Sequence, residues 1–544
     1  MSQRNKLNIL LESGFSLYKA GKLKKAIKKF QKVLASGPNV EATNGSAIIL
    51  RELKKFADAM MIIERGLIDA PKHPTLLNTR GTVLMAMGCT EDAIISYREA
   101  IRVEPQYADA WANLAFSLKK NEKTLHAIDA LEQSIRCDPE RFGLNYELGK
   151  LLLESGNAVS AEQKFKAVLK RSPLDPHVLN DLGNSLFAQG RFEEARMSFS
   201  QAIEQNNNFV AALNNLGSTL RRLADIDGSI KAYNAAIRFD PNHAEVRVNR
   251  ALTLLLAGNF EAGFNEYDWR WQCKQSSPIP NPGCPRWQGE KVGKKTFLCV
   301  AEQGLGDTLQ FARYLSILAD SGGQIIFYCQ PALVPLFKHL PYLKNVFPIG
   351  EPWVKADIFA PLLDCPKYLG IPSGLNVTNA YLPLSKANRL EFPGLKVGLV
   401  WAGNSDHVDD AQRSIKLSDF SPIFEVNEVS WFSLQVGDAR LELKGHPKIL
   451  DLGITFNDFF DTAKSISELD IVICVDTAVA HLAGGMGKSV WVLLADIPDW
   501  RWGLRSKQSL WYPTSRLFRK KKGGDWQPTM KKIANELVAL SKFE

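Results

Sequence analysis

Residues 173–199 read PLDPHVLNDLGNSLFAQGRFEEARMSF. A proline opens the stretch, Gly183 sits within an apolar run, Ala195 stands twelve residues later, and Phe199 follows four beyond it. The same spacing recurs with a period of about 34 residues from roughly Lys6 to Trp271. The first small position is filled by Gly14, Ala47, Gly81, Ala115, Gly149, Gly183, Gly217 and Ala251. The second is filled by Ala26, Ala59, Ala93, Ala127, Ala161, Ala195, Ser229 and Gly263. The large position holds Phe30, Ile63, Tyr97, Leu131, Phe165, Phe199, Tyr233 and Tyr267. Small residues let two antiparallel helices approach closely, and the large side chain fills the gap to the next unit. Pro38, Pro71, Pro105, Pro139, Pro173 and Pro241 close most units, because proline cannot continue a helix. Asn206-Asn207-Asn208 stands where the sixth unit lacks its proline, and asparagine also suits a turn.

Period and key positions resemble the tetratricopeptide repeat, in seven full units and a degenerate eighth over residues 6–272. That resemblance implies an all-α superhelix whose concave face holds a polypeptide. Asn113, Asn180, Asn214 and Asn215 are candidates to line such a groove, with Asn113, Asn180 and Asn214 read as one helical face at repeat spacing. A ladder of amides can hold a peptide backbone whatever its side chains; ordinary surface polarity is the plainer reading.

The remaining composition sets bounds. A chain of 544 residues exceeds one core and calls for two or more domains. The net charge of +9 is modest for this length. The lysines from Lys19 to Lys32 lie in a helical repeat without interleaved aromatics, which reads as a solvated face rather than a nucleic-acid surface. No signal-peptide pattern and no run of about 18 apolar residues occurs, so a cytoplasmic protein without a membrane span is expected. The eight cysteines include no C-x-x-C pair, and Cys299 and Cys474 are expected to be buried thiols.

From Cys273 to Lys295 the repeat breaks into a stretch crowded with Pro278, Pro280, Pro282 and Pro285, read as a linker over 273–295. Tyr267, Trp269 and Trp271, with Trp287 beyond, suggest that it is anchored; they either wedge the last helix against the next domain or cap the array. A chain starting near Pro278 is nevertheless expected to fold. Beyond it, Thr296–Ala301 reads as a strand, Gly304-Leu305-Gly306-Asp307 as a turn, Thr308–Ala319 as a helix and Gln324–Cys329 as a strand. A second strand series comprises Lys396–Trp401, Trp431–Val436, Ile471–Val475 and Ser489–Leu494. Two Rossmann-like lobes, 296–390 and 391–544, joined near Pro383–Gly394, account for this order, with ligands beyond the carboxyl ends of the strands.

Three places carry candidate chemistry. In the first turn, Gly304 and Gly306 would let a ligand approach the backbone, and Asp307 is either a helix cap or a general base, with Glu302 as substitute. Asp476 and Thr477 follow a strand and open a helix whose free N–H groups suit a diphosphate, while His481 is a further donor-side candidate or a packed core histidine. Trp401-Ala402-Gly403-Asn404 ends a strand, and Arg413 and Lys416 then supply cations for phosphates. The one D-x-D triplet, Asp225-Ile226-Asp227, lies in the repeats, so no metal site is expected. The aromatic and basic stretch from Pro498 to Arg519 faces either a nucleotide or the other lobe.

The Asp476-Thr477…His481-Leu482-Ala483 stretch looks like the D-T-x-x-x-H-L-A motif of the heptosyltransferase-like family, and Leu305-Gly306-Asp307 resembles that family's L-G-D turn. The layout is similar to bacterial repeat–glycosyltransferase fusions, some of which modify flagellin, and to O-linked N-acetylglucosamine transferases. The resemblance implies a two-lobed GT-B glycosyltransferase that needs no cofactor beyond a nucleotide-sugar co-substrate. It implies Asp307 as base, Arg413 on the donor phosphates, and a protein acceptor on the repeats. No N-lobe catalytic histidine is evident, His339 having no motif around it. A non-catalytic repeat scaffold and a transferase acting on lipopolysaccharide or another glycan are the alternatives.

Overall fold

The computed structural model describes residues 3–274, 278–371, 380–382, 391–405, 410–521 and 523–541. The expected lobe junction at Pro383–Gly394 falls largely outside them. Sixteen helices run from Gln3–Lys19 to Phe260–Tyr267, forming eight antiparallel pairs. The N-terminal region is thus an all-helical tetratricopeptide-repeat array, and a region of parallel sheets follows it. Each small residue of the first series has a specific reason to be small. A Cβ added at Gly183 would stand 2.5 Å from the Phe199 ring, and one at Gly81 2.5 Å from Tyr97. Phe30 touches Gly14 of its own pair and Gly45 of the next, so the large residue fills space on both sides. The lysines from Lys19 to Lys32 are exposed or half-exposed, as a solvated face requires.

Contacts divide the chain into residues 1–219 and 220–544. The second unit therefore includes the helices Ile226–Phe239, Ala244–Leu256 and Phe260–Tyr267 together with the sheets. Its first sheet contains β1 (Thr296–Val300), β2 (Gln324–Cys329), β3 (Leu343–Pro348) and β4 (Ile358–Pro361), all parallel, in the order β3-β2-β1-β4. Its second contains β5 (Leu395–Val400), β6 (Val429–Ser433), β7 (Ile449–Asp451), β8 (Ile471–Val475), β9 (Ser489–Leu494) and β10 (Ser515–Arg519). All are parallel, in the order β10-β9-β8-β5-β6-β7. Counted within the lobe, this is the 3-2-1-4-5-6 order of a dinucleotide-type sheet, with the order reversing between β5 and β8. Buried on both faces, β1, β5, β8 and β9 are almost wholly apolar, and Cys299 and Cys474 are fully buried within them.

The proline-rich segment is partly built into the first sheet. Trp287 N–H donates to Phe359 O at 2.8 Å and Phe359 N–H to Pro285 O at 3.0 Å, extending the sheet beyond β4. The Trp287 ring is buried against Phe297 and Tyr368. Of the aromatics expected to anchor the end of the repeats, Tyr267 and Trp287 join the shared core, while Phe260 and Phe264 make the wedge. Phe264 meets Phe311 at 6.3 Å and Trp500 at 5.7 Å between ring centres, and Phe260 meets Trp511 at 6.1 Å, all edge to face. One helix thereby touches both lobes and shares their core.

This packing contradicts the expectation that a chain starting near Pro278 folds, because such a chain loses Phe260, Phe264 and Tyr267 from its own core. Burying each large side chain stabilises by roughly 1.5–3 kcal/mol. A chain starting at Leu220 should unfold cooperatively. One starting at Pro278 should bind a hydrophobic dye and lack near-ultraviolet circular dichroism. Equal cooperativity of the two chains would show that the wedge is dispensable.

Candidate functional site

The carboxyl ends of β5 and β8 flank the point where strand order reverses in the second sheet. Trp401 and Ala402 leave β5 with both N–H groups donating to the Gln435 side-chain oxygen at 3.0 Å, while the Gln435 amide donates back to Ala402 O at 3.1 Å. This buried glutamine fixes the turn that presents Gly403 and Asn404. Gly403 N–H donates to Ser414 Oγ at 2.9 Å, and a Cβ on Gly403 would come 3.8 Å from Thr477. Arg413 reaches across to the end of β8, donating to Asp476 O at 2.9 Å with its carboxylate at 3.5 Å. Burial raises the Asp476 pKa, against the pull of Arg413. Thr477 caps the helix Ala478–Gly485 in extended conformation, and its hydroxyl oxygen is buried without a hydrogen-bond partner among the described residues. Gly403, Arg413, Asp476 and Thr477 are thus brought together. Lys416 is exposed, and no ion pair joins it to them among the described residues.

Across from this helix start lies the helix Leu305–Phe311 of the first lobe. Gly306 is required by close approach rather than by a ligand: a Cβ there would stand 2.9 Å from the His481 ring. Asp307 accepts from Gly304 N–H at 2.9 Å with one oxygen and pairs with Arg501 through the other. Cap and cleft position therefore coexist in one side chain. Arg501, which also holds Asp499 at 2.7 Å, comes from the stretch after β9. Gln303 adopts φ 62°, a left-handed conformation uncommon for a residue with a Cβ, and its amide donates to Tyr267 OH at 2.6 Å.

Two of the sequence candidates serve as structure. His481 is buried, with Nδ1 2.8 Å from Tyr512 OH and its ring stacked on Trp502 at 5.1 Å. It is the packed histidine between the lobes, not a group open to a donor. Glu302 is no substitute base. Arg270 donates to both of its oxygens at 2.8 Å, and Leu363 N–H adds a third bond at 3.2 Å. Arg270 also holds Asp364 at 2.8 Å, and Arg286 and Lys367 pair with Asp364 and Asp268. Three cations and three carboxylates so lock the end of the repeats to the end of β1. Removing one partner from such a buried set costs about 3–5 kcal/mol.

Sequence reading missed Gln435, Arg270 and Arg313, and named Arg501 only as part of the Pro498–Arg519 stretch. Arg313 is buried, donates to Trp511 O at 2.8 Å and lies over the Tyr381 and Tyr512 rings, holding the lobes together. The Pro498–Arg519 stretch contained a signal for Arg501, and its packing role proves the larger one. In the first unit the asparagines bond one another. Asn113 donates to Asn78 at 2.9 Å, and Asn215 to Asn180 at 2.9 Å and Asn184 at 3.0 Å. Asn78 and Asn113, like Asn180 and Asn215, lie 35 residues apart, one more than the repeat; Asn113 stands two residues before Ala115, whereas Asn180 and Asn214 stand three before Gly183 and Gly217, so Asn113 does not share their column. Asn44 with Thr79 and Tyr146 with Asp181 repeat the same diagonal step.

A tetratricopeptide-repeat family profile matches residues 11–74, 114–176, 180–244 and 214–268. Over 534 residues the chain is 24% identical to Protein FlbA of Caulobacter vibrioides, covering 90% of this chain and 83% of that one. Over 93 residues it is 32% identical to the probable UDP-N-acetylglucosamine--peptide N-acetylglucosaminyltransferase SPINDLY of Solanum lycopersicum, covering 17% of this chain and 10% of that one. Among solved structures it is similar to YrrB, a TPR protein with an unusual peptide-binding site, at 20% identity and TM-score 0.32, covering 34% of this chain and 95% of that one. It is also similar to the C-terminal part of a TPR repeat-containing protein from Cytophaga hutchinsonii, at 20% identity and TM-score 0.38, covering 44% and 98%. No helix among the described residues is long and apolar enough to cross a membrane.

The buried histidine gives the site a pH signature. Burial, helped by Arg501, lowers the His481 pKa from 6.5 to about 3. Between those values the unfolded chain binds a proton that the folded chain does not. Its contribution is therefore complete above the unfolded value and lost as pH falls through the window, by about 2 kcal/mol at pH 5. The thermal midpoint of the wild type should fall more between pH 7 and pH 5 than that of His481→Gln. Equal falls would show that His481 is protonated in the fold.

Proposed function

We propose that this chain is a glycosyltransferase that moves a sugar from a nucleotide-sugar donor to a serine or threonine of a protein held by the repeats. The observation that carries the reading is the meeting of Gly403, Arg413, Asp476 and Thr477 at the switch point of the second sheet, facing Asp307 on the other lobe. Ligands of open parallel sheets bind beyond the strand carboxyl ends at such a point. The SPINDLY relative is named as a probable peptide N-acetylglucosaminyltransferase, which agrees with a protein acceptor.

In this reading the acceptor hydroxyl attacks the anomeric carbon from the face opposite the nucleotide, inverting it. Asp307 takes the hydroxyl proton. Its two oxygens offer about four lone-pair sites, of which Arg501 and Gly304 N–H use two. The oxygen–carbon bond forms as the bond to the diphosphate breaks, and the negative charge that develops there is met by Arg413 and the N–H groups opening the helix Ala478–Gly485. Arg413 leans on a backbone carbonyl, from which it can turn to a phosphate. No metal is called for. In the repeats, Asn78 and Asn180 are buried and orient the half-buried Asn113 and Asn215, whose side-chain oxygens can still accept, so Asn113 and Asn215 are the surface proposed for the acceptor backbone.

The scaffold reading gains one specific observation, since Arg501 pairs with Asp307. Transfer assays separate the two. Asp307→Asn should bind donor as the wild type does and transfer sugar about 100-fold more slowly or worse. Arg413→Ala should weaken donor binding by about 1.5–3 kcal/mol, and chelator should change neither binding nor rate. Wild-type transfer by Asp307→Asn would reduce Asp307 to a cap. Loss of activity in chelator, restored by a divalent ion, would overturn the metal-free mechanism.

A further inference from the structure

Beside the switch point the second unit contains a cavity of about 160 Å³ that neither the repeat pattern nor the transferase motifs foretell. One wall is the carboxyl end of β9, Leu493 to Ala495, with Asp476 from the end of β8. The opposite wall is the repeat region: Arg221 and Arg222, which close the helix Val210–Arg222, and Leu252 and Leu256 from the helix Ala244–Leu256. Arg413 and Trp500 complete it.

Three arginines, Arg221, Arg222 and Arg413, therefore line one small space. The two carboxylates that line it are already engaged, Asp476 by Arg413 and Asp499 by Arg501. Arg222 donates to the Gln412 side chain at 2.9 Å, which ties the repeat helix to the turn carrying Arg413. Arg221 makes no ion pair with a carboxylate among the described residues, although it is only partly exposed. Arginines lining a partly enclosed site suit an anion with several oxygens, because planar guanidinium forks match phosphate geometry. The apolar floor of Leu252, Leu256 and Trp500 lowers the local dielectric and strengthens that attraction.

We propose that this cavity holds the diphosphate of a nucleotide donor, and that Arg221 and Arg222 bind it jointly with Arg413. The inference rests on the donor site proposed above and extends it: donor affinity depends on residues of the repeat region, so this region recognises more than the acceptor.

Calorimetric titration of the full chain with inorganic pyrophosphate and with UDP, GDP, CDP and ADP tests it. Arg221→Ala/Arg222→Ala should weaken pyrophosphate and the preferred nucleoside diphosphate at least about tenfold, the scale of one lost charge-assisted contact. Arg238→Ala, on the neighbouring helix and outside the cavity, should leave affinity unchanged. Arg221→Gln/Arg222→Gln keeps a polar, hydrogen-bonding side chain without the charge and should lose affinity equally, with an unaltered thermal midpoint, which separates lost charge from lost fold. Wild-type affinity in both double variants, with loss in Arg413→Ala, would overturn the role of Arg221 and Arg222 while leaving the donor site standing. Failure of the wild type to bind pyrophosphate or any of the nucleotides would overturn both.

Discussion

The edge-to-face packing of Phe264 against Phe311 and Trp500 is the contact on which the second unit depends. Phe311 belongs to the helix that starts with the Leu305-Gly306-Asp307 turn, and Trp500 adjoins Arg501. One side chain from the last repeat thus braces the segments that supply both members of the Asp307–Arg501 pair. Remove it, and Tyr267, Gln303 and the charged set around Arg270 lose their common support. The α/β region cannot close its core alone, because the apolar surface at the meeting of its lobes is completed by a repeat helix.

Electrostatics follows from that closure. Arg270, Glu302, Asp364, Arg286, Asp268 and Lys367 balance one another, so the junction carries no net charge into the interior. Arg313 meets carbonyl oxygens and ring faces instead of a carboxylate, which suits a guanidinium that holds two lobes together. Around the ends of β8 and β9 the cations are paired as well, Arg413 with Asp476 and Arg501 with Asp499 and Asp307.

The repeats were legible because each rule acts locally. Gly183 and Phe199 meet within one helical pair, and turn prolines act on their own residue. The β–turn–α order of the lobes was legible for the same reason, and Asp307, Arg413 and Asp476 stood out because each follows a strand. What stayed hidden is long-range pairing. Arg501 reaches Asp307 across 194 positions and Arg313 reaches Trp511 across 198, and no periodicity encodes such partners. The asparagine columns misled because the amides bond on a 35-residue diagonal while the repeat runs at about 34, so residues at equal spacing do not share a role. His481 matched a motif whose physical basis here is the close approach of two helices at Gly306.

Hydrogen exchange read peptide by peptide tests the central claim most directly, that the last repeat belongs to the core of the α/β region. Amides of Phe260–Tyr267 should exchange as slowly as those of β1 and β8, and Phe264→Ala should speed exchange in all three together. If that helix instead exchanges at the rate of the repeats before residue 219, and Phe264→Ala leaves β1 and β8 untouched, the repeats and the lobes are independent and the account fails.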